Sequence, residues 1–428
     1  MWLRRLLLSS AVLTTALSVA AVPSPAGAAV DPASTVEQVS SPTFQLTSDM
    51  SMTEDANRIA LTPGLSDVNR SVDWVMNHAN RVREPLSGCH TEVYQPVVDQ
   101  GALDGGFCWD HANLDDLTND DAGKWTPQGI TTTRDALGAN EYDGHQLIAT
   151  TWYYNDPTNT TLNDESRLSL VDWDADWPDM YRHLLLVEPT GDSSLYKSAK
   201  MHAGGAMWYG DFLYVADSAI KGFRIFDFSK IYSADTSDIC QDRIGPYFDV
   251  SSGTTRYCAS GYAYIMVQVG KVTVTSADYL RVSTISLDRS TTPDSFVVAE
   301  FASPNEGPQS DDPQSHNRLH PYVVRWQLDF NTRLPSTGLS SEVYRTNIQK
   351  MQGVASRNGT LYLASSNGDQ PGVLRSWNSS TGEIRQTDWV IGAESLSYWG
   401  GSTDLLWTCT ERPDQRVVIA ARPTDLDL

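Results

Sequence analysis

Apolar and polar positions change period once along the chain. Between residues 66 and 85, apolar side chains recur at three- and four-residue spacing: Val68, Val72, Val75, Ala79 and Val82. That spacing predicts one short amphipathic helix, N-capped by Ser66 and stopped by Pro85. The preceding residues 30–65 are rich in Ser, Thr and Pro and read as an extended lead-in. Residues 86–124 are irregular and acidic. From residue 125 the period shortens. Short β-branched and aromatic runs alternate with Gly, Asn and Asp, which predicts strands joined by tight turns.

Comparison of the chain with itself shows a repeat. Met201-His202-Ala203-Gly204-Gly205 leads through Tyr209-Gly210-Asp211 into Leu213-Tyr214-Val215-Ala216. Met351-Gln352-Gly353-Val354 leads through Arg357-Asn358-Gly359 into Leu361-Tyr362-Leu363-Ala364. Weaker copies begin at Pro127-Gln128-Gly129-Ile130 and Ala393-Glu394-Ser395-Leu396. Third strands are expected at 167–173, 222–227 and 372–378, and fourth strands at 182–187 and 387–391. A degenerate unit is expected with strands at 262–274, 280–287, 296–301 and 322–328. Four antiparallel strands per irregular unit is the blade of a β-propeller. The reading is therefore all-β: five four-stranded blades over 125–428, or six if 86–124 supply another. An N-terminal strand is expected to complete the short last unit and so remove its open edge. An extension over 30–124 with one short helix precedes the ring.

The Gln-Gly-hydrophobic starts, the Gly/Asn/Asp turns and the Leu-Tyr-hydrophobic-Ala strands resemble the loosely repeated propellers of NHL, gluconolactonase-like and streptogramin-lyase-like proteins. The resemblance covers about residues 125–428. It implies a propeller scaffold that hosts lactonases, lyases, phosphotriesterases and pure binding proteins, so it selects no chemistry. It also implies that the first strand of each blade lines the central channel. The starts of those strands carry Gln128, His202, Gln352 and Glu394. These four are the candidate site, with His202 and Glu394 as catalytic acid or base and Gln128 and Gln352 as ligand-binding amides.

The first residues have a different origin. Arg4-Arg5, an apolar run over 6–22 and a small-residue stretch ending Ala26-Gly27-Ala28-Ala29 read as a secretory leader over 1–29. No other stretch is long and apolar enough to span a bilayer. The 428 residues carry 53 acidic and 31 basic side chains, a net charge of −22. That balance argues against nucleic-acid binding and against docking on anionic lipid, both of which need a basic surface. The expected setting is extracellular, with no membrane contact after cleavage. The expected function is binding of an extracellular small molecule or glycan at the channel mouth. The alternative is a metal-dependent hydrolase or lyase acting on a lactone, glycan or ester.

Five cysteines suit an oxidising compartment. The simplest pairing is Cys89–Cys108 and Cys240–Cys258, leaving Cys409 as a buried thiol. No C-x-x-C, G-x-S-x-G, H-E-x-x-H or P-loop pattern occurs, which removes several metal, hydrolase and nucleotide signatures. Calcium is the candidate cofactor, because carboxylate-rich segments supply hard oxygen ligands. Its candidate ligands are Glu394 and, in the acidic loop, Asp115, Asp116 and Asp120. Among the 13 tryptophans, Trp173, Trp377 and Trp407 are expected to pack between sheets. Trp109, Trp125, Trp177, Trp208 and Trp399 lie near turns or acidic loops and are candidates for exposed ligand-stacking faces.

Overall fold

The computed structural model describes residues 34–110, 120–121, 123–156, 158–159, 162–174, 180–303, 318–401 and 404–428. The leader over 1–29, Asp115, Asp116 and Trp177 lie outside these. Among the described residues the strands form five four-stranded antiparallel blades. Blade one comprises Trp125–Thr132, Leu147–Tyr154, Ser166–Asp172 and Met180–Pro189. Blade two comprises Ala206–Tyr209, Phe212–Asp217, Gly222–Ser233 and Tyr264–Val274. Blade three comprises Val282–Asp288, Ser295–Glu300, Tyr322–Gln327 and Glu342–Thr346. Blade four comprises Met351–Arg357, Thr360–Asn367, Gln370–Asn378 and Ile384–Trp389. Blade five takes Ala393–Trp399, Leu405–Thr410 and Val417–Ala421 from the C-terminus, and Leu103–Cys108 from the extension.

That last strand closes the ring. Val417 pairs with Cys108 and Ile419 with Gly106, so the final blade gains its fourth strand from before the first blade. Among the described residues no sixth blade is formed, because the long strand of the 86–124 segment, Leu103–Cys108, is spent on this closure. The innermost strands of successive blades lie side by side around the ring, five against one included. They are buried on both faces: all eight positions of Trp125–Thr132 are buried. Apolar clusters fill the gaps between blades, such as Val297, Val354, Leu361 and Trp377 between three and four.

The repeated Gln-Gly start now has a packing reason. A Cβ on Gly353 would lie 2.7 Å from Leu396 Cγ and 2.9 Å from the Ser395 carbonyl carbon. A Cβ on Gly205 would lie 2.7 Å from Thr284 Cα. Only glycine lets adjacent inner strands approach this closely.

The degenerate unit was placed one strand early by periodicity. Tyr264–Val274 is the outermost strand of blade two, and Glu342–Thr346 is the fourth strand of blade three. The cause is a hairpin, Ile244–Asp249 with Thr254–Ala259, inserted between the last two strands of blade two. The Cys240–Cys258 disulfide anchors that insertion, and Cys89–Cys108 ties the extension to the closing strand.

The extension holds more helix than its periodicity predicts: α1 (Met52–Leu61), α2 (Val72–Asn77) and α3 (Thr91–Asp99). Ser71, not Ser66, caps α2, accepting a hydrogen bond from the Trp74 N–H at 3.1 Å. Arg81–Val82 is extended, because it pairs with the outer strand of blade one. This pairing is part of a wider pattern. Val36–Gln38 pairs with blade three, Leu46–Asp49 and Asn69–Arg70 with blade two, and Arg81–Val82 with blade one. The extension is thus a belt that covers outer sheet edges before entering blade five.

The four described tryptophans among the candidate exposed faces are core residues. Trp109 and Trp208 are fully buried, and Trp125 and Trp399 nearly so. Trp208 stacks on Phe228 with centroids 3.9 Å apart, and Trp109 packs edge-on against Trp152. Among the described residues no helix is long and apolar enough to cross a membrane.

Candidate functional site

Four of the five innermost strands share one irregularity. Pairing with the second strand slips between Pro127 and Gly129, between Val282 and Thr284, between Met351 and Gly353, and between Glu394 and Ser397. The extra residues are Gln128, Ser283, Gln352 and the Ser395-Leu396 pair. A bulge re-aims the side chain beside it. Here the bulges fall at one level of the ring, and Gln128, Ser283, Gln352 and Glu394 line one cavity of about 120 Å³. His202, just before the first strand of blade two, lines it too, as does Arg281. All five blades touch the cavity.

Its electrostatics are set by two carboxyl groups. Glu394 is 1% exposed, and its Oε1 has no hydrogen-bond partner. Burial, reinforced by the nearby Glu411 carboxylate, raises its pKa well above the usual carboxylate range. Both effects favour its protonated form. Glu411 is also raised, by burial, but Gln128 Nε2 donates to its Oε2 at 2.9 Å and favours its ionised form. The ring of His202 lies 4.2 Å from that of Tyr153, and His202 is exposed at the rim. Cys409 sits beneath, its sulfur 3.5 Å from the Glu394 carbonyl oxygen and 3.7 Å from that of Gln128. Burial pushes its thiol pKa up, so it is an inert packing group.

Asp120 has a different role from the metal ligand expected of it. It is fully buried in a cluster of donors. Oδ1 accepts from Arg167 Nη2 at 2.7 Å. Oδ2 accepts from Tyr181 Oη at 2.6 Å, Arg81 Nη1 at 3.0 Å and His183 Nε2 at 3.0 Å. Two guanidinium groups occupy the space a cation would need, so Asp120 is a structural counterion. Arg167 is held between Trp125 and Trp152, its guanidinium 4.6 and 4.5 Å from the ring centroids. The cluster floors a second cavity of about 400 Å³, between blade one and the inserted hairpin, lined by Glu165, Gln241 and Tyr262 among others. No sequence motif marked it, because Arg81, Asp120, Arg167 and His183 are far apart in the chain.

A third group lies at the edge of blade one. His145, Asp172 and Asp174 each offer a ligand atom, all within 4.8 Å of one another, and together can hold a metal ion. The spacing in sequence matches no metal motif, and only the pairing of Leu147 with Asp172 brings them together.

No family model matches the chain, and no curated protein matches it. Among solved structures, it is similar to a GH43_1 enzyme from Xanthomonas citri, at 10% identity and a TM-score of 0.34, over 69% of this chain and 87% of that one. It is also similar to the PQQ-bound form of an aldose sugar dehydrogenase from Streptomyces coelicolor, at 11% identity and a TM-score of 0.31, over 83% of this chain and 97% of that one. Likeness at this level transfers no residue role. The class of the protein, a five-bladed β-propeller closed by an N-terminal strand, rests on its own strand order.

Proposed function

We propose that this is a secreted β-propeller that binds a small, hydroxylated extracellular ligand, a glycan unit or a related lactone, at the mouth of its central channel. The observation that carries the reading is the convergence of Gln128, His202, Gln352 and Glu394 on one cavity, with a buried acid whose Oε1 lacks a partner. The Glu394 carboxyl, two amides and the Ser283 hydroxyl are hydrogen-bond donors and acceptors from separate blades, which suits hydroxyl groups. Two disulfides and the leader pattern support secretion. The test is calorimetric titration of the purified protein with a panel of mono- and oligosaccharides and aldonolactones. A binder is expected, and Gln352→Ala and Glu394→Ala should each weaken it at least about tenfold, the effect of losing one buried polar contact. Unchanged affinity in both variants would remove the site.

A hydrolase or lyase reading is favoured by one feature: a buried carboxyl with a raised pKa lines the same cavity as an imidazole, a candidate acid and base. In that version Glu394 donates a proton to the leaving oxygen and His202 activates water or abstracts a proton. Turnover of lactones, glycans or esters that survives both His202→Ala and Glu394→Ala would defeat it. Calcium at this mouth would draw on the Glu394 carboxylate and the Gln128 and Gln352 amide oxygens, so binding must displace the Glu394 proton. A chelator-reversible rise in melting temperature with calcium, absent in Glu394→Gln, is the expected sign.

A further inference from the structure

His145 occupies a tight turn closed by the Tyr142–His145 bridge, immediately before the second strand of blade one. Asp172 ends the third strand of the same blade and is 1% exposed. Its Oδ1 accepts from the Asp174 N–H at 2.8 Å, while Oδ2 is buried with no hydrogen-bond partner. Asp174 is oriented in turn, its Oδ2 accepting from the Gln146 N–H at 3.0 Å. The imidazole stands between carboxylates: Nε2 is 3.1 Å from Asp73 Oδ1 on α2, and Nδ1 is 3.8 Å from Asp174 Oδ2. A carboxylate on the far nitrogen selects the tautomer whose Nδ1 lone pair faces Asp172 and Asp174. Three acceptors then converge around a buried carboxylate oxygen that lacks a donor. Such an arrangement of His ligand and outer carboxylate recurs in metal centres, where the outer partner orients the ring and raises its basicity.

We propose that His145 Nδ1 and the carboxylates of Asp172 and Asp174 form a divalent-metal site of the zinc class, with Asp73 as the positioning residue. The mixed nitrogen and oxygen donor set favours a borderline first-row ion over calcium, which takes six to eight oxygens. Three protein ligands leave a coordination position for water. The site is separate from the channel mouth. It joins α2 of the belt to blade one, because the Asp73–His145 contact spans the two.

The test uses untagged, full-length mature protein stripped with chelator and dialysed. Zinc chloride and calcium chloride are titrated separately by calorimetry and in thermal melts. One zinc ion per chain is expected, with a melting temperature that climbs with zinc concentration as linkage requires. Calcium should bind at least about tenfold more weakly. Asp172→Asn and His145→Gln should abolish stoichiometric zinc binding, and Asp73→Asn should weaken it about 10- to 100-fold. Circular dichroism checks that each variant folds. Should Asp172→Asn unfold, Asp174→Asn, altering a less buried side chain, decides the question. Absence of stoichiometric zinc binding in the wild type overturns the proposal. Retained affinity in His145→Gln, or tighter binding of calcium than zinc, overturns it as well.

Discussion

Asp120→Asn is the most informative perturbation of the scaffold. The substitution keeps shape and removes charge. In the native cluster, Asp120 Oδ2 accepts three hydrogen bonds and Oδ1 one, all from donors and two from guanidinium groups. An amide presents one oxygen and one NH2. If the NH2 replaces Oδ2, it meets the donors of Arg81, Tyr181 and His183. If it replaces Oδ1, it meets Arg167 Nη2. Either orientation leaves Arg167, itself 1% exposed, without its anion. Removing one partner of a buried ion pair costs about 3–5 kcal/mol. Arg81 is partly exposed and can turn to water, so the lower half of that range is expected. The assay is urea denaturation followed by tryptophan fluorescence, reading the midpoint at unchanged slope. Arg81→Met, which leaves Asp120 with Arg167 and His183, should cost less. A loss below about 1 kcal/mol for Asp120→Asn, the scale of an exposed pair, would refute the assignment of this cluster as a buried electrostatic core.

Other outcomes follow from the same geometry. Burial first, and then Arg167, push the His183 pKa down to about 3, so the imidazole is neutral at pH 7. The unfolded chain titrates near 6.5, so this contribution is fully present above about pH 6.5 and is lost as pH falls toward 3. His183→Gln should flatten the stability profile between pH 6.5 and 4 relative to wild type, and an identical slope would contradict the assignment. Gly353→Ala forces its Cβ against Ser395 and Leu396 and should cost about 1–3 kcal/mol in thermal melts. Gly88→Ala, which meets nothing within 4 Å, should change stability by less than about 0.5 kcal/mol. Replacing both Cys240 and Cys258 by serine, across a separation of 18 residues, should cost about 3 kcal/mol in urea unfolding at pH 7.

Much of the ring was legible because propeller blades repeat local features. The Gln-Gly starts and the Leu-Tyr-hydrophobic-Ala strands mark where inner strands meet, and there the reason is steric: glycine where strands touch, a polar side chain where the bulge faces the channel. The inserted hairpin hid the fourth strand of blade two. It placed about thirty residues between partners that pair directly, and no local pattern records such a gap. The helices α1 and α3 escaped notice because each is short and held by the blade it covers, so tertiary contact outweighs weak periodicity. Trp125 and Trp208 were ambiguous because strand residues beside turns look alike whether they meet water or another sheet.

The candidate site divides the same way. Gln128, Gln352 and Glu394 could be named from the repeat, since equivalent positions in blades face one axis, and His202 from its place just before the first strand of blade two. The raised pKa of Glu394 could not, because it depends on burial and on Glu411, distant in the chain. The Asp120 cluster and the His145–Asp172–Asp174 group could not be named at all. By itself, the chain's linear order determined most strands, the repeat, the acidic charge and the pairing of near cysteines, each a property of local segments or of composition. Only the closed ring decided which carboxylates meet arginines, which meets a second acid and which meet a histidine. Charge state and ligation are set by distances of a few ångströms in space, and residues hundreds of positions apart supply them.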